Sequence, residues 1–229
     1  DSSTSRGLGD VYKRQQVTIK NSAAKEEILK RISTAQKQAG LPDHVEVPRE
    51  YQREGTLNDD ELRDMLVDRL EDYKADVRVT DEAGLNSTIV DILKDRGCST
   101  VTYAPGIDTS MLEGFEGTAT ADDNSKDPRD LNDVDAVLTE SHVTSAQTGT
   151  IVLESNDVCG RRALTLVPDR HICIVRDDQI VYGIPEVVSR MNPERPATWI
   201  SGPSATSDIE LTRVEGVHGP RDLIVVIVK

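Results

Sequence analysis

From residue 75 the chain reads as strand, helix, strand, and no other feature limits its fold as much. Residues 75–80 (Ala-Asp-Val-Arg-Val-Thr) alternate apolar and polar, Ile89, Ile92 and Leu93 mark a helix that Gly97 ends, and residues 100–104 form a second strand. A strand followed by a helix and another strand favours parallel pairing through a helical crossover. Short apolar blocks then recur at residues 134–139, 150–153, 163–167, 172–175, 198–200 and 223–228, each read as a strand, with a helix expected over 185–191. Together these predict an α/β fold: an open mixed, mostly parallel sheet flanked by helices. Val, Ile and Leu must build its core, since aromatics make up only 3% of the chain. The longest apolar block, 223–228, is far too short to span a bilayer, and no transmembrane segment is expected.

Ahead of this core stands an N-terminal helical part, residues 21–74. Asn21 and Ser22 can cap a helix running to about Gln38, with Ile28, Leu29, Ile32 and Ala35 on one face, Gly40 as the stop and Pro42 beyond. Residues 41–55 read as a connector. Asn58 and Glu61 have the spacing of a capping box, with Leu57 and Leu62 at the staple positions, and open a helix whose buried stripe is Leu62, Met65, Leu66, Leu70 and Tyr73. Residues 116–133 are acidic and nearly devoid of large apolar groups, as in a surface loop. Residues 1–20 lack apolar periodicity and begin with a Ser/Gly cluster. They read as a disordered tail or a non-native scar, leaving 21–229 as a single domain with its core over 75–229.

Charge and cysteine content narrow the function classes. Lys and Arg number 27 against 41 Asp and Glu, a net charge of −14. So acidic a surface repels phosphate backbones and argues against sequence-independent nucleic-acid binding. Three cysteines, an odd number without CxxC spacing, suit a reducing compartment and supply no zinc or iron–sulfur ligand set. With no signal-peptide pattern, the expected location is the cytoplasm. The four histidines are scattered without HxH or HExxH spacing, so no metal site is expected. Neither a Walker A sequence nor GxGxxG occurs.

Four segments can carry chemistry. In Thr148-Gly149-Thr150, just ahead of a strand, backbone N–H groups and two hydroxyls can meet an anion, or the tripeptide is simply a tight turn. Ser201-Gly202-Pro203-Ser204-Ala205-Thr206-Ser207-Asp208-Ile209-Glu210 leads from a strand end through hydroxyls toward a helix start. Ser204 and Thr206 there either hold an oxyanion or cap the helix, and the two roles are compatible. His218, between Gly216-Val217 and Gly219-Pro220, can be a polar site group or a solvent-facing residue. Arg161-Arg162 can clamp a carboxylate or phosphate, or form salt bridges on the acidic surface.

Several of these motifs stand in order at distances that resemble the LUD domain, the lactate utilisation protein C family. They are Thr148-Gly149-Thr150-Ile151-Val152-Leu153, the run from Arg161 to Pro168, His171, the run from Trp199 to Glu210, and Glu215-Gly216-Val217-His218-Gly219-Pro220. The likeness is dense over 84–229 and extends plausibly from residue 21. Gln147 departs from it, standing where an acidic residue is expected. The resemblance implies a NagB/RpiA/CoA-transferase-like sheet with its ligand cleft at strand ends, where the Thr148–Thr150 and Ser201–Glu210 loops would meet. It also implies an accessory, cluster-free component of a system oxidising L-lactate to pyruvate. This chain would bind a small carboxylate or phosphate, a cofactor or a partner protein's surface, with Thr148, Gly149, Thr150, Gly202, Ser204, Thr206 and Asp208 as ligand contacts. Iron–sulfur clusters would sit on partner proteins. The alternative is a stand-alone enzyme of that superfamily acting on a phosphate- or carboxylate-bearing small molecule, with Glu210 or His218 as acid/base.

Overall fold

The computed structural model describes residues 21–42, 44–206, 214–215 and 219–229. The chain divides into two units, one ending at Glu50 and the other running from Tyr51 to Lys229. The first contains helix α1 (Asn21–Gln38). Gly40 ends it at φ 65°, a left-handed conformation that costs glycine little. Its N–H bonds the Lys37 carbonyl, and the Leu41 N–H reaches Gln36.

The second unit opens with α2 (Asp59–Asp72), and the capping box is closed in both directions. The Glu61 N–H donates to Asn58 Oδ1 and the Asn58 N–H to Glu61 Oε2, each at 3.0 Å. Next come β1 (Asp76–Thr80), α3 (Leu85–Asp95), β2 (Thr100–Tyr103), β3 (Thr118–Ala121), β4 (Ala136–Glu140), β5 (Val143–Ser145) and β6 (Thr150–Glu154). The chain continues with β7 (Arg170–Arg176), β8 (Ile180–Val181), α4 (Ile184–Arg190), β9 (Ala197–Ile200), β10 (Ala205–Thr206), β11 (Val214–Glu215) and β12 (Asp222–Val228).

Six of these strands form a wholly parallel sheet in the order β1-β12-β7-β4-β2-β3. The mixed character lies in a second sheet, β8-β5-β6-β9, where β5–β6 and β6–β9 are antiparallel and β5–β8 is parallel. Burial explains the sequence blocks. On one face of the large sheet, Leu85, Ile89 and Leu93 of α3 cluster with Leu138, Ile172, Ile224 and Val226. On the other, Leu66 and Leu70 of α2 and Ile151 and Leu153 of the small sheet cluster with Cys173, Val175, Val225 and Ile227. Alternate residues of β12 therefore face opposite layers, and a strand buried on both sides needs an unbroken apolar run.

Two local expectations are corrected. Residues 163–167 are not a strand: Leu164, Thr165 and Leu166 donate their N–H groups to the carbonyls three residues back, so the segment turns on itself while burying Leu164. Residues 116–133 are not all loop: they include β3, exposed along its whole length, and a 3-10 turn over Pro128–Asp133.

Candidate functional site

A cleft of about 280 Å³ opens between the start of β7 and β12 and strand β9 of the small sheet. That volume stands just below the usual range for small-molecule sites, about 300–1,000 Å³. Its position follows from the chain: the turn at 162–166 precedes β7, Gly219-Pro220 precedes β12, and Thr198 to Ser204 carries β9 over the opening. His171 and Leu223, register partners at the second position of their strands, line its floor. Since all six strands run in parallel, the cleft lies at their amino ends. Open α/β sheets more often bind ligands at the carboxyl ends.

Leu166 and Trp199, 41% and 42% exposed, supply apolar walls. The Thr165 hydroxyl, nearly buried, donates to the Arg162 carbonyl at 3.3 Å. The arginines near this end of the sheet differ sharply. Arg170 donates to Asp222 at 2.6 Å, Arg96 pairs with Asp76 and Asp222, and Arg221 binds Asp169 through two nitrogens at 2.6 and 2.7 Å. Arg161 likewise grips Asp122 at 2.8 and 3.0 Å. Arg162, exposed at the cleft, has no ion pair among the described residues. Of the two adjacent arginines, then, one fastens the turn to the end of β3 and the other remains open to an anion.

His171 is fully buried, and burial pushes its pKa down to about 4, so the ring is neutral. Its Nε2 lies 2.8 Å from the Thr139 hydroxyl, while its Nδ1 has no hydrogen-bond partner among the described residues. A buried polar atom without a partner costs free energy that a bound group can recover.

The glycine loops are brought together one step from the cleft. Thr150 and Ser201 extend the antiparallel β6–β9 ladder by one position, and their hydroxyls bond at 2.9 Å. Thr148 Oγ1 lies 2.9 Å from Ser145 Oγ and 2.8 Å from Thr150 Oγ1. Thr148, Gly149 and Thr150 do not line the cleft; they support Ser201, which does. Gly149 and Gly202 adopt φ of 58° and 84°, and both back onto α2 and its cap. A Cβ at Gly149 would stand 3.0 Å from Arg69 Cβ, and one at Gly202 2.6 Å from Tyr73 Cβ.

Of the residues expected from sequence, Gly202 and Ser204 line the cleft, the Ser204 N–H donating to the Pro220 carbonyl at 2.7 Å. Thr206 pairs through its backbone with Val214 as part of β10. Asp208, Glu210 and His218 lie outside the described residues. The sequence reading missed the floor: His171 entered only within a family likeness. An imidazole inside the run His171-Ile172-Cys173-Ile174-Val175 was the available signal, since a polar ring in so apolar a strand needs a partner. Gln147 is exposed, its side-chain amide 3.4 Å from the Tyr182 hydroxyl.

Residues 58–228 match the family model of the LUD domain. A lactate utilization protein C from Deinococcus radiodurans is 55% identical over 103 residues, which span 43% of this chain and 49% of that relative, about half its length. A protein of the same name from Macrococcus caseolyticus is 29% identical over 206 residues, 80% of this chain and 87% of the relative. A solved structure of a DUF162 family protein from Deinococcus radiodurans superposes with a TM-score of 0.64 at 36% identity, covering 76% of this chain and 99% of that one.

Proposed function

Because the chain belongs to the LUD domain family, we propose that it serves a lactate-utilisation system as the component that holds a small carboxylate in the cleft above β7 and β12. One observation carries this reading: three segments of the family likeness, the run from Arg162, the Trp199–Ser204 stretch and Gly219-Pro220, meet around that cleft although they are separated in the chain. Arg162 offers a planar, charged fork suited to a carboxylate. Leu166 and Trp199 offer an apolar wall for a short carbon chain. The neutral His171 ring adds a directional polar contact without a second charge. Relatives named lactate utilization protein C support the metabolic assignment. In this reading the electrons leave lactate through iron–sulfur partner proteins, and this chain contributes ligand binding.

The test is reconstitution. The chain is co-purified with the products of its neighbouring genes, and L-lactate-dependent dye reduction is measured with and without it. Activity is expected to require the chain and to fall at least tenfold with Arg162→Gln. Full activity without the chain, together with no association, would overturn the proposal.

A further inference from the structure

The large sheet has two edges, and they differ in how they meet solvent. On β1, Arg78 pairs with Asp76 at 2.9 Å, and Arg96 joins the same carboxylate at 2.8 Å. Charged side chains of this kind blunt an edge against further pairing. At the other edge β3 reads Thr118-Ala119-Thr120-Ala121, without charge or proline, in unbroken register with β2 and exposed throughout. Its backbone is bonded on one side. The Thr118 N–H donates to the Ser99 carbonyl and the Asp122 N–H to the Tyr103 carbonyl, each at 2.8 Å, so β2 takes alternate N–H groups. Those of Ala119 and Ala121 therefore face away from β2, where no strand among the described residues pairs with them. Such a row of backbone groups is a template for one more strand.

Charge selects the occupant. A cavity of about 230 Å³ lies against Thr118 and Thr120, with Leu131 and Val134 among its apolar lining. Of its carboxylates, Asp122 is paired with Arg161, but Asp123, Asp130 and Asp133 have no ion pair among the described residues. Between residues 113 and 133, seven acidic residues stand against two basic ones. A second copy of this chain is disfavoured. Two β3 strands paired antiparallel about a two-fold axis would set Glu116 of each against Asp123 of the other, and like charges directly opposite are destabilising. A lysine or arginine on an added strand is favoured: its methylene stem covers Leu131 and Val134 while its head reaches the carboxylates. We infer that β3 is a docking edge for an extended basic segment of a partner protein, which joins the large sheet as an outer strand and sets alternate lysine or arginine side chains over the cavity. The main chain supplies the bonds and the cavity the choice of side chain. β2 and β4 separate this edge from β7 and the cleft, so the docking stands independently of what the cleft holds.

The probe is the blocked heptapeptide acetyl-Thr-Lys-Val-Lys-Val-Lys-Thr-amide. One control carries glutamate in place of each lysine, and a second carries N-methyl groups on the backbone nitrogens of its central residues. The full chain is titrated with each while its amide resonances and their exchange are followed by NMR. The lysine peptide is expected to bind at least tenfold more tightly than either control and to protect the Ala119 and Ala121 amides. Asp130→Asn combined with Asp133→Asn is expected to weaken it at least threefold. Ala119→Pro, which removes an outward N–H and spares the bonds to β2, is expected to abolish it. Should that variant fail to fold, the methylated peptide decides on the native chain. Equal binding of the methylated peptide would show contact by charge alone and overturn strand addition. Equal binding of the glutamate peptide, binding that persists in a folded Ala119→Pro, or no binding of the lysine peptide would also overturn the proposal. So would a dimer in sedimentation that Ala119→Pro dissociates, since a second copy would then hold the edge.

Discussion

Gly202 and Gly219 adopt nearly the same backbone, φ 84° and 86°, yet their surroundings differ. A methyl group at Gly202 would meet Tyr73 Cβ at 2.6 Å; one at Gly219 finds nothing among the described residues nearer than 3.9 Å. Alanine at either site incurs the left-handed penalty of about 1–2 kcal/mol, and only Gly202→Ala must also displace the cap of α2. Urea unfolding should therefore show Gly202→Ala as the more damaging by about 1–3 kcal/mol; equal losses would mean that the contact with Tyr73 is soft. His171 allows a prediction with a defined pH window. Its folded pKa, about 4, lies below the ordinary 6.5, so between those values the unfolded chain binds more protons than the folded one. The stability due to the neutral ring is complete above pH 6.5 and is lost as the pH falls toward 4, on the order of 3 kcal/mol in all. Asp135, held low chiefly by the Ser99 N–H, and Asp169, held low chiefly by Arg221, lose their contributions at more acid pH, below the ordinary aspartate value. His171→Asn is expected to flatten the stability profile between pH 6.5 and 4. An unchanged slope would assign that loss to other groups.

At the level of elements, legibility followed burial and local hydrogen bonding. The β12 block was readable because both its faces are covered, and α2 because its cap is written in Asn58 and Glu61 themselves. Strand β3 was not, because Thr118, Ala119, Thr120 and Ala121 are all exposed and carry no apolar signature; pairing with β2 alone makes them a strand. The segment 163–167 misled for the opposite reason: Leu164 is buried in the core with Ala163 and Val167 packed against it, but the segment's N–H groups are spent on local turns. The cleft was legible to the same degree. Gly202, Ser204 and Arg162 stand out through their Gly-Pro and Arg-Arg settings, whereas His171 acquires its character from Thr139, 32 residues away in sequence. Helix α2 also offers a test at this scale. It seats both glycine loops, so Asn58→Ala should cost about 1 kcal/mol in unfolding experiments and weaken L-lactate binding only slightly, because Leu66 and Leu70 keep the helix docked. A tenfold loss of affinity with the same small stability change would show that the cap positions the site directly.

For the chain as a whole, the net charge of −14 and an anionic ligand are reconciled by where the positive charge is left unpaired. Arg96, Arg170 and Arg221 are neutralised by aspartates, whereas Arg162 faces the cleft without one among the described residues. With a Debye length of about 8 Å at physiological ionic strength, distant carboxylates are screened and the adjacent guanidinium dominates the ligand's final approach. The larger unit offers two ends of one parallel sheet for such a ligand. At the carboxyl ends, Glu140 and Arg176 bond at 3.1 Å, Gln179 donates to the same Glu140 oxygen at 2.9 Å, and Glu82 takes the other arm of Arg176. Those four side chains are paired with one another, although Asp177 Oδ1, just past the end of β7, has no partner among the described residues; the amino ends hold, among the described residues, a cation without an ion pair and an unpartnered nitrogen. Amide hydrogen exchange with and without L-lactate separates the two ends in one experiment. Added protection is expected in β9 and at the first residues of β7 and β12, because a ligand between them holds the two sheets together; β3, exposed at the far edge, should exchange as before. Protection appearing instead around Glu140 and Arg176 would place the ligand at the carboxyl ends and return this sheet to the commoner rule.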